Sequence, residues 1–243
     1  MNNDRIQEIL DLMEEARLDY FLISDPQSIA YCTGYYNDPH ERMFVFMISK
    51  HTLFMNDLFY LDHDLDVNIV WHKDGQDAIQ TIVDEMHFPG RIGIDKNWAS
   101  HFLLDLMKKL PDAKYINASP CVDLVRMKKD LQEQVLMIES SKINDAVMEE
   151  IIPFIQQLAK KLDELFFNHH STCYGAIVAF GKNAADPHHE NDDTPLRKGD
   201  CVLIDMGCVY KGYCSDMTRT FFYEGILEEE IKVYEIVKKA NEA

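Results

Sequence analysis

A pair of aspartates lies in a stretch whose pattern predicts a β-hairpin. Two runs rich in apolar residues, 201–210 and 213–222, are joined by Lys211-Gly212. A two-residue connection with glycine in second place is typical of a tight hairpin turn. We therefore expect two antiparallel neighbouring strands, with Asp205 on the first and Asp216 on the second.

The register of this hairpin decides whether the two acids meet. If the residues that flank the turn face each other, Asp205 faces Thr218. Gly207 then faces Asp216. Because side chains alternate between the two faces of a sheet, all four residues share one face. The two carboxylates are diagonal neighbours about 7–8 Å apart at the backbone. They could therefore converge on one ion or on a metal pair, and Gly207 is expected to leave space for it.

The chemistry of two such acids admits two interpretations. Carboxylate oxygens suit hard or borderline divalent cations such as Mn²⁺. Without a cation, two acids on one inward face repel each other and are costly to bury. Aspartates are mostly exposed in proteins, however, so a solvated hairpin face is the alternative. Apolar neighbours of Asp205 favour a buried strand: Val202, Leu203, Ile204 and Met206. The residues alone leave both interpretations open.

The hairpin resembles the first half of the metal-site signature of the pita-bread metallopeptidases, the family of creatinase, prolidase and aminopeptidase P. The similarity lies in Gly199–Gly207 and in Gly212–Thr220. Phe180–Ala185 is similar to the strand and loop that precede the signature, and Pro187-His188 resembles the substrate-binding histidine.

The resemblance extends over most of the chain. Residues 18–26 and 31–34 are similar to the N-terminal domain of prolidases, aminopeptidases P and creatinases, and residues 124–130 resemble the junction between domains. The resemblance implies an α/β N-terminal domain at 1–125, with a mixed sheet and flanking helices. It also implies an α+β domain at 126–243, which is the first and incomplete half of a pita-bread catalytic domain.

The resemblance assigns roles to the candidate metal ligands. Asp205 corresponds to a terminal ligand of one ion, and Asp216 to a ligand that bridges two. The family completes its site with a histidine and two glutamates later in the chain, and no segment here matches them. We therefore expect a C-terminally truncated piece, or the product of an interrupted gene, that is inactive alone because two carboxylates make a poor catalytic site.

Three further residues and one rival complete the set of candidates. His188 corresponds to a histidine that hydrogen-bonds the substrate or the tetrahedral intermediate. The adjacent His189 is the rival, and two histidines in a loop more often mark a solvated turn. Thr218 and Arg219 are expected to support the ligands or the strand, with Arg219 on the opposite face.

The resemblance implies metal-dependent hydrolysis of Xaa-Pro peptide bonds, of dipeptidase or aminopeptidase P type, by two-metal activation of water. The expected cofactor is a pair of divalent ions, Mn²⁺ first and Co²⁺ or Zn²⁺ as alternatives, and the expected assembly is a homodimer. One alternative is a non-catalytic pita-bread module that binds peptides or proteins. Another is a creatinase-like hydrolase without a metal. The two aspartates argue against both.

Composition excludes several classes of partner. The 243 residues carry a formal net charge of −18, which disfavours nucleic acid and anionic membrane surfaces. No stretch approaches the length of an apolar membrane span, and the first residues do not form a secretory signal. The six cysteines form no CxxC pair, so we expect a reduced, cytoplasmic protein.

Periodicity predicts the elements that position these residues. Helical spacing is found at 4–17, and 43–49 with 52–55 predicts a first hairpin. A long helical stretch at 129–165 is interrupted at Pro153, and a last helix begins near Glu228.

Overall fold

The structure is a computed structural model that describes residues 2–59, 61, 64–151 and 158–243. Contacts divide the chain into two compact units, Met1–Lys128 and Lys129–Ala243. The boundary predicted at residue 125 falls within the last helix of the first unit, Ser119–Met127. The predicted interruption at Pro153 lies outside the described residues.

The first unit is a mixed six-stranded sheet with helices on both faces, which confirms the predicted α/β class. The strand order is β4-β3-β2-β1-β5-β6. The two pairs β1–β2 and β2–β3 are antiparallel, and the other three pairs are parallel. The strands are β1 (Tyr20–Ile23), β2 (Val45–Met47), β3 (Thr52–Asn56), β4 (Asn68–His72), β5 (Arg91–Ile94) and β6 (Lys114–Asn117). The helices are α1 (Asn3–Glu15), α2 (Pro26–Thr33), α3 (Ala78–Glu85), α4 (Ser100–Lys109) and α5 (Ser119–Met127).

Both faces of this sheet are buried, which explains the unbroken apolar runs of its central strands. On one face Phe21 and Phe46 pack with residues of α1, α2 and α5. On the other face Leu22 packs with Ile82 of α3 and Leu106 of α4. The predicted hairpin of β2 and β3 is confirmed, and a single 3₁₀ turn, Ile48–Lys50, connects its strands.

A buried carboxylate ties the ends of two parallel strands. Asp95 follows β5 and is 7% exposed. It accepts hydrogen bonds from the backbone N–H of Ser24 at 2.5 Å, of Asp25 at 2.7 Å and of Asn97 at 3.0 Å. The Ser24 hydroxyl donates a fourth, at 2.6 Å. The carboxyl ends of β1 and β5 are therefore fixed to each other.

The second unit is an antiparallel sheet with the order β7-β8-β9. Helices α6 and α7 contribute Val147, Leu162 and Phe166 to its core. No helix in the described ranges is both long and apolar enough to cross a membrane. The elements are α6 (Leu131–Ile151), α7 (Leu158–Asn168), β7 (Thr172–Phe180), β8 (Cys201–Tyr210), β9 (Tyr213–Phe222) and α8 (Glu228–Glu242).

The start of α6 is locked to the turn end of the β8–β9 hairpin. Asp130 and Glu133 cap the helix reciprocally, each side chain accepting the other's backbone N–H, at 2.8 and 3.0 Å. Glu133 is 4% exposed and also accepts a hydrogen bond from the Tyr213 hydroxyl at 3.0 Å. Two turns further along the same face, Ser140 donates to the Tyr213 carbonyl at 3.2 Å. These contacts fix the hairpin against the helix.

Candidate metal centre

The predicted hairpin register is confirmed. Asp205 pairs with Thr218, and Gly207 pairs with Asp216. The turn residues Lys211 and Gly212 have φ values of 48° and 83°. Two positive φ values in a two-residue turn match the twist of the flanking strands, and this is why glycine is favoured in the second place.

The two faces of β8 differ sharply. Val202, Ile204, Met206 and Cys208 are at most 1% exposed and belong to the core formed with α6 and α7. Asp205 and Gly207 alternate with them and therefore lie on the opposite face. The interpretation of β8 as a buried strand is correct for one face, and the acids occupy the other.

Asp205 is held by its cross-strand neighbour. It is half-buried, and its Oδ1 accepts a hydrogen bond from the Thr218 hydroxyl at 2.6 Å. Within the described part of the chain, its Oδ2 has no hydrogen-bond partner. One oxygen is therefore oriented, and the other remains available to a ligand.

Asp216 is exposed, and no ion pair joins it or Asp205 to any described residue. Two uncompensated carboxylates on one face suit a divalent cation. No group of three or more His, Cys, Asp or Glu side chains among the described residues could hold a metal. The residues present therefore fit part of a metal site.

Position 207 requires a glycine because the backbone of the neighbouring strand comes very close to it. A Cβ atom added there would lie 2.4 Å from the Ser215 carbonyl oxygen and 3.4 Å from Cδ1 of Tyr174. The expectation that Gly207 leaves open space for an ion is wrong, because the neighbouring strand fills the space that a side chain would take. The glycine instead permits β9 to approach β8 closely beside Asp216.

Tyr174 is a residue of this face that sequence reasoning missed. The β7–β8 pairing is irregular between Cys173 and Ala176, and Gly175 has a φ of 60°. Such a bulge redirects the side chain beside it. The Tyr174 ring, which is 62% exposed, lies next to Gly207. An isolated glycine inside a strand pattern was the available signal.

The candidate histidines lie in the loop that precedes β8. His188 is exposed, and its backbone N–H donates to Oδ1 of Asp186 at 2.9 Å. The His189 side chain is only 10% exposed, with Nε2 at 3.8 Å from Oδ1 of Asp192. No hydrogen bond or ion pair among the described residues links His188 to Asp205 or Asp216. The structure therefore brings the two aspartates together but does not join the histidine to them.

Asn191 fastens this loop to the free edge of β7. Its Nδ2 donates to the Ala176 carbonyl at 2.8 Å, and its Oδ1 accepts from the Val178 N–H at 2.8 Å. The side chain thus substitutes for a neighbouring strand at this position. The loop that carries His188 runs beside the sheet as a consequence.

Arg219 lies on the helix-covered side of the sheet. It pairs with Ile204, is exposed, and donates from Nη1 to the Thr218 carbonyl at 2.9 Å. The prediction that Arg219 faces away from Asp205 is confirmed. Its contact supports the backbone of the residue that orients Asp205.

Each of the two units matches a known protein family. Residues 5–128 match the creatinase/prolidase N-terminal domain, and residues 135–243 match metallopeptidase family M24. A dipeptidase from Pyrococcus horikoshii OT3 is 30% identical, with a TM-score of 0.87 over 98% of this chain and 70% of its own. The chain belongs to metallopeptidase family M24.

Two further relatives support the assignment. The prolidase from Thermococcus sibiricus is 28% identical, with a TM-score of 0.89 over all of this chain and 71% of its own. An uncharacterized peptidase of Staphylococcus aureus strain MRSA252 is 27% identical over 98% of this chain and 71% of its own. The predicted fold, a creatinase-type N-terminal domain followed by part of an M24 domain, is confirmed. This chain spans about 70% of the length of these relatives.

Proposed function

We propose that this family member takes part in metal-dependent hydrolysis of Xaa-Pro peptide bonds in short proline-containing peptides. The observation that carries the proposal is the pair of uncompensated carboxylates, Asp205 and Asp216, on one face of the β8–β9 hairpin. The prolidase of T. sibiricus and the dipeptidase of P. horikoshii support the substrate class.

Each carboxylate has a distinct part in this proposal. Asp205 would hold one ion through the oxygen that the described residues leave without a partner, while Thr218 orients the carboxylate. Asp216 would be the bridging ligand that the family resemblance implies, and its carboxylate is exposed. Divalent ions bound there would polarise the scissile carbonyl and lower the pKa of water.

His188 is the proposed substrate-binding residue. Its imidazole would donate a hydrogen bond to the scissile carbonyl oxygen as that oxygen gains negative charge. Its exposure leaves the ring free to meet a peptide, whereas His189 lies largely covered near Asp192.

The described residues supply two carboxylates and no third ligand close to them. We therefore propose that this chain alone binds metal weakly and does not cleave peptides, and that further ligands complete the site. Mn²⁺ is the proposed ion, with Co²⁺ or Zn²⁺ as alternatives, because carboxylate-rich sites suit Mn²⁺.

The incomplete ligand set favours a second candidate, a module that binds peptides or proteins without catalysis. A metal titration separates the two candidates, because a binding module has no need of two acids paired on one face of the hairpin. The homodimer, the cytoplasmic location and the domain limits 1–125 and 126–243 remain predictions.

The decisive experiment is a titration of this chain with Mn²⁺, in which isothermal calorimetry measures the binding. Asp205→Asn and Asp216→Asn should each weaken or abolish binding, whereas Asp145→Asn is a charge-matched control on the exposed face of α6. Equal binding by all three variants would exclude these two acids as ligands.

Hydrolysis of an Xaa-Pro dipeptide and an Xaa-Pro-Xaa tripeptide, with and without Mn²⁺, tests the activity. We expect no cleavage by this chain. Cleavage that depends on Mn²⁺ would show that the site is complete, and the proposal of missing ligands would then be wrong.

A further inference from the structure

Two of the six cysteines stand directly opposite each other on neighbouring strands. Cys173 of β7 pairs with Cys208 of β8, at the last regular position before the bulge. Paired residues of an antiparallel ladder have their Cα atoms about 4.5 or 5.5 Å apart and their side chains on the same face. Both spacings fall within the range that a disulfide requires, about 4.4–6.8 Å.

The two thiols are free in this structure, and they differ in access. Cys208 is fully buried, with its Sγ 3.3 Å from the Ser215 hydroxyl and 3.6 Å from the Ser140 carbonyl, to which it donates. Cys173 is half-buried at the margin of the same core. Cys173 is therefore the thiol that a solvent-borne oxidant meets first.

We propose that Cys173 and Cys208 form a reversible cross-strand disulfide, with Cys173 as the attacking thiol and Cys208 as the resolving thiol. The other two cysteines of this sheet cannot substitute for them. Cys201 pairs with Phe222, and Cys214 pairs with Val209. The bridge ties the edge strand β7 to β8, which carries Asp205.

Thiol–disulfide exchange with glutathione disulfide supplies a balanced route. The Cys173 thiolate attacks one sulfur of glutathione disulfide, which breaks that bond, forms a mixed disulfide and releases one glutathione. The Cys208 thiolate then attacks the sulfur of Cys173 and releases the second glutathione. The two protein thiols together lose two electrons and two protons. The two released glutathione molecules take up these electrons and protons.

The environment sets the speed of the first step. Burial, the negative charge of Asp163 and a hydrogen bond to Asp163 raise the pKa of the Cys173 thiol to about 11, and the Cys208 thiol adds to the effect. Little thiolate is present near neutral pH, so the exchange should be slow there and faster as the pH rises toward that value.

The test is a non-reducing peptide map of the folded chain after incubation with glutathione disulfide. We expect a peptide that joins Cys173 to Cys208, a loss of two hydrogen atoms in mass, and two fewer thiols on titration of the unfolded protein. Hydrogen exchange should also slow in β7 relative to the reduced protein.

Variants separate the two roles. Cys208→Ser should accumulate the mixed disulfide at Cys173, whereas Cys173→Ser should form no bridge. Cys214→Ser is the matched control on the same sheet and should bridge like the unaltered chain. Since Cys173 is half-buried, its serine variant tests the proposal even if Cys208→Ser does not fold. A bridge to another cysteine, a bridge in Cys173→Ser, or no bridge at all would overturn the proposal.

Discussion

Replacing Gly207 by alanine tests whether the close approach of β9 to β8 positions Asp216. The added Cβ would lie 2.4 Å from the Ser215 carbonyl oxygen. That oxygen belongs to the backbone, so the strands must move apart and no side chain can yield instead. Overpacking of this kind typically costs 1–3 kcal/mol. We therefore expect the second unit to lose about 2 kcal/mol, a factor of about thirty in its opening equilibrium.

Hydrogen exchange of the β8 and β9 amides measures this loss directly. Gly93→Ala provides a crossed control in the first unit, where the added Cβ would lie 2.5 Å from the Cβ of Ala118. Both tryptophans, Trp71 and Trp98, belong to the first unit, so their fluorescence reports its unfolding.

The two variants should therefore destabilise different units. Gly207→Ala should accelerate exchange in β8 and β9 and weaken Mn²⁺ binding, while Gly93→Ala should lower the denaturant midpoint that tryptophan fluorescence reports. Unchanged exchange in β8 and β9 of Gly207→Ala would refute the reasoning, because the strands would then have room for the methyl group.

Three more substitutions test other polar side chains of the two units. Thr218→Val removes the donor to Asp205, and loss of such a supporting contact should weaken Mn²⁺ binding about tenfold or more. Thr220→Val, on the same face of β9, is the control. Equal affinities of the two variants for Mn²⁺ would show that Thr218 does not support the metal ligand. Asp95→Asn places an amide among four donors and should cost the first unit about 2 kcal/mol in a urea titration, whereas the exposed Asp105→Asn should cost nothing measurable. Burial lowers the pKa of His72 below its ordinary 6.5; the unfolded chain then binds the proton more readily, so stability of the first unit should fall as the pH drops below about 6.5. His72→Gln should flatten that dependence, and an equally steep loss in the variant would assign it to other groups.

The hairpin was predictable because its register depends on local chemistry. Lys211-Gly212 specifies the turn, and the turn fixes every cross-strand pair from Tyr210–Tyr213 outward. Apolar alternation then assigns the faces, since a shift of one residue would expose Met206 and bury Asp205. No long-range information was needed to place the two aspartates on one face.

The pairing of β7 with β8 could not be predicted from local sequence in the same way. The residues between Phe180 and Cys201 form a long connection that carries no register signal. The bulge at Gly175 breaks the alternation, so Tyr174 could not be assigned to the face of Gly207 from the pattern. Likewise, the two hydrogen bonds by which Asn191 fastens the histidine loop to β7 have no local signal in the sequence.

Alternation along β8 makes the core and the candidate metal face inseparable. Ile204 and Met206 seal the core with α6 and α7, and Asp205 lies between them on the open face. Changes of volume among the core residues leave the acids on their face, because the period of the strand is unaltered. A change in backbone separation, as at Gly207, moves Asp216 without touching the core. Metal binding should therefore be more sensitive to Gly207→Ala than to a conservative core substitution such as Ile204→Val, even where the two cost the fold similar stability.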